Sequence, residues 1–149
     1  MKRSIIKIDK LKKEFDGIVA LNEISFEVEK GQIFGLLGPS GSGKTTTINI
    51  ITGQEISNSG TSHILGIESS KLTSKELEKI GIVTDSSGYY EKMSLYNNLI
   101  FFAKYYDVEE KEVEKLLKRV GLFDNRRKIA GKLSTGMRQR MLLVRSLIN

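Results

Sequence analysis

The chain has no cysteine, no tryptophan, a single proline and a single histidine among its 149 residues. Without cysteine, disulfide staples and thiolate metal sites are excluded, which fits a reducing compartment. No stretch approaches the roughly 20 consecutive apolar residues that a membrane-spanning helix needs. The N-terminus, Met1-Lys2-Arg3-Ser4-Ile5-Ile6-Lys7-Ile8-Asp9, is basic but lacks the apolar run of a secretion signal. With 39% hydrophobic and 28% charged residues, the composition is that of a soluble globular chain long enough for one real core.

The formal charge of +6 is unevenly spread: residues 1–110 carry 13 Lys/Arg against 15 Asp/Glu, whereas residues 111–149 carry 11 against 3. Such a basic segment raises the question of a nucleic-acid surface. Arg126-Arg127-Lys128 is the only dense run, however, and has no aromatic platform beside it in the sequence. A solvated loop and helix face accounts for it better, and nucleic acid is not expected as a partner.

The most informative stretch is Gly38-Pro39-Ser40-Gly41-Ser42-Gly43-Lys44-Thr45, which spells G-x-x-x-x-G-K-[ST]. The glycines let the backbone turn tightly and aim N–H groups at phosphate oxygens. Lys44 adds a positive charge for the β- and γ-phosphates, and Thr45 offers a hydroxyl to Mg²⁺. Residues 32–37 read as a buried strand before the loop. Residues 45–52 read as a helix after it, closed by Gly53, so a helix N-terminus points at the anion. The pattern expects a nucleoside triphosphate with its Mg²⁺, held by residues 38–46 including Thr46.

Along the rest of the chain, residues 4–9 and 24–29 alternate as half-buried strands do, with a turn at Phe15-Asp16-Gly17. A short strand is expected at 61–65, a short helix at 74–79 and a buried strand at 80–84. Ser94 caps a helix carrying Leu95, Leu99, Phe102 and Tyr106. A second helix presents Val113, Leu116, Leu117 and Val120 and stops at Gly121. Ser134 caps a last helix with Met137, Met141, Val144 and Ile148 as its stripe. The sheet implied by these strands reads as unfinished. The open edge at 32–37 and the apolar stripe of the last helix are both expected to lack cover and to invite association.

A second motif follows 95 residues after Gly38: Leu133-Ser134-Thr135-Gly136-Met137-Arg138-Gln139-Arg140. Alone, Ser-x-Gly before a helix is an ordinary cap. Together with the P-loop it resembles the Leu-Ser-Gly-Gly-Gln signature of ATP-binding cassette (ABC) proteins. Thr135 and Met137 stand at its variable places, in an exporter-like version. Val19 to Gly31, Val-Ala-Leu-Asn-Glu-Ile-Ser-Phe-Glu-Val-Glu-Lys-Gly, is similar to the run that leads into an ABC P-loop. The resemblance extends over essentially the whole chain.

The resemblance implies an α/β fold: a P-loop NTPase core of the ABC type with an N-terminal antiparallel β-subdomain and a helical insert, incomplete C-terminally. It divides the chain into a β-subdomain and core over about residues 1–86, a helical subdomain over 87–133 and a signature helix over 134–149. It implies ATP and Mg²⁺ as cofactors, with Phe15 as the aromatic that stacks on adenine; plain core packing is the alternative for Phe15. Ser134 and Gly136 match residues that reach, in trans, the γ-phosphate on a second nucleotide-binding domain. A transmembrane permease is the other implied partner, which places the chain in the cytoplasm, peripheral on the inner face of the membrane.

Two departures from the family pattern stand out. Asp85 occupies the place of the usual glutamine. A carboxylate is a good ligand for a hard cation, so Asp85 either reaches Mg²⁺ or lies in a solvated turn. The family's Mg²⁺-holding Asp, water-activating Glu and switch histidine have no counterpart before Asn149, and His63 reads as a surface strand residue. The expectation is therefore nucleotide binding without turnover by these residues alone. The reading as the ATP-binding subunit of a transporter, powering export across a membrane, stands beside a soluble cassette acting on ribosomes or DNA and a catalytically inert nucleotide-binding fragment. The short insert between Asp85 and Leu133, without long arms, favours the transporter.

Overall fold

The computed structural model describes residues 4–83 and 88–148. The chain forms two compact units, Met1–Leu77 and Glu78–Asn149.

The first unit is built on a long hairpin. Strands β1 (Ser4–Phe15) and β2 (Ile18–Glu29) pair antiparallel from Ser4↔Glu29 to Phe15↔Ile18. Asp16 and Gly17 join them with φ of 48° and 82°, the pair of positive angles that a two-residue hairpin turn needs to match strand twist. Each strand runs to 12 residues, longer than alternation alone suggests. The reason is irregular register: shifts between Ile8 and Leu11, Leu11 and Lys13, and Lys13 and Glu14 break the period-two pattern. Strand β3 (Ser59–Ile64) pairs with the other edge of β1, and β4 (Ile67–Glu68) with β3, giving the order β2-β1-β3-β4.

Helix α1 (Lys44–Ile51) packs on β2 and β3. Ile8, Leu11, Leu21, Val28 and Ile64 from the sheet and Ile50 and Ile51 from α1 are buried as the core of this unit. Each such side chain contributes about 1.5–3 kcal/mol by leaving water. Helix α2 (Ser74–Leu77) closes the unit and is shorter than the expected 74–79.

Two expected strands are absent. Residues 32–37, between β2 and the loop, and residues 80–83 of the expected 80–84 carry no ladder pairing; Thr84 lies outside the described residues. A strand exists through its neighbours, and neither segment is paired with any strand of the described sheet. Ile33 and Leu37 are accordingly exposed, while Phe34 is held by stacking on Phe26, ring centroids 4.9 Å apart. All pairing in the described sheet is antiparallel.

The second unit is helical. Helices α3 (Leu95–Tyr105), α4 (Glu110–Arg119) and α5 (Thr135–Arg145) enclose a core of Leu95, Leu99, Ala103, Val113, Leu117, Leu122, Leu133, Met141, Val144 and Ile148. The stripe of α5 is thus covered by α3 and α4, with Met141, Val144 and Ile148 buried and Met137 packed at the edge. This corrects the expectation that the stripe lacks a surface. Residues 126–131 run along the N-terminal end of α3: Leu95 N–H donates to Lys128 O at 2.8 Å and Tyr96 N–H to Arg126 O at 2.9 Å. Phe123, three residues before Arg126, also lies under its guanidinium, 3.9 Å from ring centroid to Cζ, so the basic run does have an aromatic neighbour, contrary to expectation.

Asn98 is the buried polar pin of this unit. Its Oδ1 accepts from Tyr90 N–H at 2.7 Å, and its Nδ2 donates to Tyr90 O and Ser94 O, both at 3.0 Å. Asn98→Ala leaves Tyr90 N–H without its partner, whereas Tyr90 O keeps Met93 N–H and Ser94 O keeps the backbone N–H of residue 98. We expect a loss of about 1–3 kcal/mol in urea unfolding; an unchanged midpoint would show that water replaces the amide at no cost.

Candidate functional site

The P-loop turns between residue 37 and α1 through a set of close backbone approaches. Ser42 N–H donates to Pro39 O at 3.3 Å, and a Cβ on Gly38 would lie 2.5 Å from Ser42 Oγ. Gly43 caps α1 with φ 83° and no side-chain cap. A Cβ there would lie 2.5 Å from both Ala20 O and Leu21 Cδ2. Position 43 therefore combines a left-handed backbone with contact against β2, and glycine meets both conditions. Thr47 N–H and Oγ1 both donate to Gly43 O, at 2.8 and 2.9 Å, which seals the first turn.

The loop encloses a cavity of about 300 Å³ lined by Ala20, Ser40, Gly41, Gly43, Lys44, Thr45 and Thr46. Lys44 Nζ folds onto the loop itself, donating to Gly38 O at 2.9 Å, Pro39 O at 2.6 Å and Ser42 Oγ at 3.3 Å. These are neutral oxygens, weaker partners for an ammonium than phosphate oxygens. The N-terminus of α1 adds its own partial positive charge and unpaired N–H groups on the same side. No acidic residue stands in the first turn of α1 to offset it. The arrangement suits a polyanion.

The residues fit the phosphate chain of a nucleotide, because the cavity is lined by glycine backbone, the hydroxyl residues Ser40, Thr45 and Thr46, and the Lys44 ammonium. Mg²⁺ is a different matter. Among the described residues, no group of three His, Cys, Asp or Glu could hold a metal. An ion here would rest on the exposed Thr45 hydroxyl and on oxygens of the ligand. Asp85, the other expected ligand, lies outside the described residues.

Phe15 stands at the turn end of the hairpin and is 41% exposed, which sets it apart from a core side chain. Ala20, on the facing strand, lines the phosphate cavity, so the hairpin carries both the aromatic and one wall of the cradle. Lys13 Nζ sits 4.6 Å from the Phe15 ring centroid. Ala20 falls inside the Val19–Gly31 run without being singled out there, and Lys13 lies outside the motifs. For Lys13 a signal existed, since residues two apart on a strand point to one side.

Ser134 and Gly136 lie in the second unit at the start of α5. Ser134 Oγ caps the helix by accepting from Met137 N–H at 3.3 Å. Both residues are exposed, and no atom lies within 4 Å of where a Gly136 Cβ would be. The helix N-terminus is therefore open to a ligand from outside this chain. His63 is half-buried in β3 opposite Lys7 and Glu68, far in sequence from either motif.

Comparison with known proteins agrees with the geometry. The sequence pattern of the family described as ABC transporter matches residues 21–149. The spermidine/putrescine import ATP-binding protein PotA of Spiroplasma citri is 37% identical, over 100% of this chain and 43% of its own length. A fluoroquinolones export ATP-binding protein of Mycobacterium tuberculosis is 38% identical, over 87% of this chain and 43% of its own length. The solved structure of CbiO1 from Clostridium perfringens, part of the ABC transporter complex CbiONQ, superposes with a TM-score of 0.84 at 26% identity, covering 97% of this chain and 61% of that one. The chain thus spans less than half the length of these curated relatives.

The close approach at Gly43 yields a test. Gly43→Ala must either strain its backbone or push the loop off β2, and we expect a stability loss of roughly 1–3 kcal/mol together with loss of ATP binding. Thermal unfolding and calorimetric titration check both; wild-type values in each would show that the loop is not seated on β2 as described.

Proposed function

The chain belongs to the ABC transporter family, and from that premise we propose that it serves as the ATP-binding subunit of a membrane transporter, taking Mg²⁺-ATP in the loop 38–45. The observation that carries this reading is Lys44, folded over a cavity flanked by a helix N-terminus with no carboxylate in its lining among the described residues. Gly38, Pro39, Ser40, Gly41, Ser42, Gly43 and Thr46 shape the cradle, Lys44 contacts the β- and γ-phosphates, and Thr45 gives its hydroxyl to Mg²⁺. Mg²⁺, when bound, would supply charge neutralisation to the phosphates. Phe15 takes adenine on its exposed face.

Ser134 and the N–H groups near Gly136 act in trans, on the γ-phosphate held by the loop of a second nucleotide-binding domain. This places their open helix N-terminus where an anion arrives. A permease is the membrane partner, and the chain works on the cytoplasmic face of that membrane. Among the described residues no helix is long and apolar enough to cross it. Relatives of nearly equal identity include an import protein and an export protein, so similarity does not set the direction of transport. Among the described residues, the cavity lining offers no carboxylate or histidine to orient water; its contribution is binding and positioning.

Lys44→Ala tests the reading. Replacing a charge-assisted contact worth roughly 1.5–3 kcal/mol should weaken ATP at least about tenfold in calorimetry, with the melting temperature little changed. Unchanged affinity would show that Lys44 does not meet phosphate and would remove the basis of the proposal.

A further inference from the structure

We propose that Lys13 is a positioning residue for the nucleotide base: it closes one face of the Phe15 ring and ties that ring to the P-loop helix. The inference rests on the reading of Phe15 as the adenine platform and extends it to a residue outside the family motifs.

An ammonium has three N–H donors. In Lys13, Nζ lies 2.8 Å from Glu55 Oε1, 2.8 Å from Ile56 O, and 4.6 Å from the Phe15 ring centroid. The Lys13 side chain is only 12% exposed, so the cation is held in place rather than swinging in solvent. Its charge sits within the roughly 6 Å over which a ring face attracts a cation. One face of Phe15 is therefore taken by a fixed charge, and a planar ligand stacks on the other. A cation on one face draws ring electron density toward itself. The opposite face becomes less negative and a better partner for an electron-rich purine.

Glu55 connects this platform to the phosphate end. It lies just past α1, where Gln54 N–H and Glu55 N–H both donate to Asn49 O of the helix, at 2.8 and 3.2 Å. The Lys13 ammonium, by hydrogen bonding, holds the Glu55 carboxyl below its usual range, with Ile56 N–H adding to the effect. A second clip runs in parallel: Asn58 N–H donates to Lys12 O at 2.9 Å, and Asn58 Oδ1 accepts from Glu14 N–H at 2.8 Å. A short relay of contacts thus runs from α1 through Glu55 and Lys13 to the ring. It sets the distance between base platform and phosphate cradle, and triphosphate alone does not need it.

The experiment compares Mg²⁺-ATP with inorganic triphosphate by calorimetry for the full chain and for Lys13→Met, Lys13→Arg, Phe15→Ala and the double variant Phe15→Ala/Lys13→Met. We expect Lys13→Met to weaken ATP about two- to fivefold and leave triphosphate unchanged, and Lys13→Arg to restore most of the loss. In the Phe15→Ala background, Lys13→Met should cost nothing further. Equal losses for ATP and triphosphate, a full Lys13→Met effect without the ring, or wild-type ATP affinity in Lys13→Met would each overturn the role of Lys13. If Phe15→Ala itself fails to separate ATP from triphosphate, the adenine platform falls first and the proposal with it.

Discussion

The contact between Gly43 and β2 is the constraint on which the first unit depends. At that point the chain must reverse from the loop into α1 while its backbone lies against Ala20 and Leu21. Leu21 is at once a core residue of the sheet and the surface on which the loop rests. Core packing and phosphate cradle are therefore one arrangement. Moving the loop would unpack Leu21, and disturbing the core would change the direction in which the first N–H groups of α1 point.

Charge is distributed around that contact in a way that waits for an anion. Lys44 is the strongest positive group of the loop and spends its donors on two carbonyls and a hydroxyl. Those bonds keep the ammonium over the cavity at small cost, because it is already ordered before a ligand arrives. A triphosphate offers it charged oxygens instead, and the loop carbonyls return to solvent. Farther along the hairpin, the Lys13 cation lies over the half-exposed Phe15 ring, which in the proposed reading leaves the other face for a ligand.

Much of this was legible in the sequence where local chemistry decides structure. The P-loop residues, the caps at Ser94 and Ser134, the turn at Asp16-Gly17 and the three long helices each follow from side chains within a few positions of one another. What was not legible depends on distant partners. Residues 32–37 and 80–83 have the apolar composition of strands, but pairing is a property of two segments, and none of the described residues supplies the second. The full length of β1 and β2 was hidden because bulges near Leu11 and Lys13 shift the alternation. The stripe of α5 looked unpartnered because its cover, Leu95, Leu99, Val113 and Leu117, comes from helices more than a dozen residues away. Lys13 carries no motif; the contacts on which its proposed role rests form only when Glu55 and Ile56 fold back onto it.

The most direct test of the central claim is a crystal structure of the chain with Mg²⁺ and a non-hydrolysable ATP analogue. The account predicts the β- and γ-phosphates against the N–H groups of residues 38–45, with Lys44 Nζ transferred from the Gly38 and Pro39 carbonyls to phosphate oxygen and adenine on the exposed face of Phe15. A nucleotide bound elsewhere, with Lys44 still on those carbonyls, would contradict it.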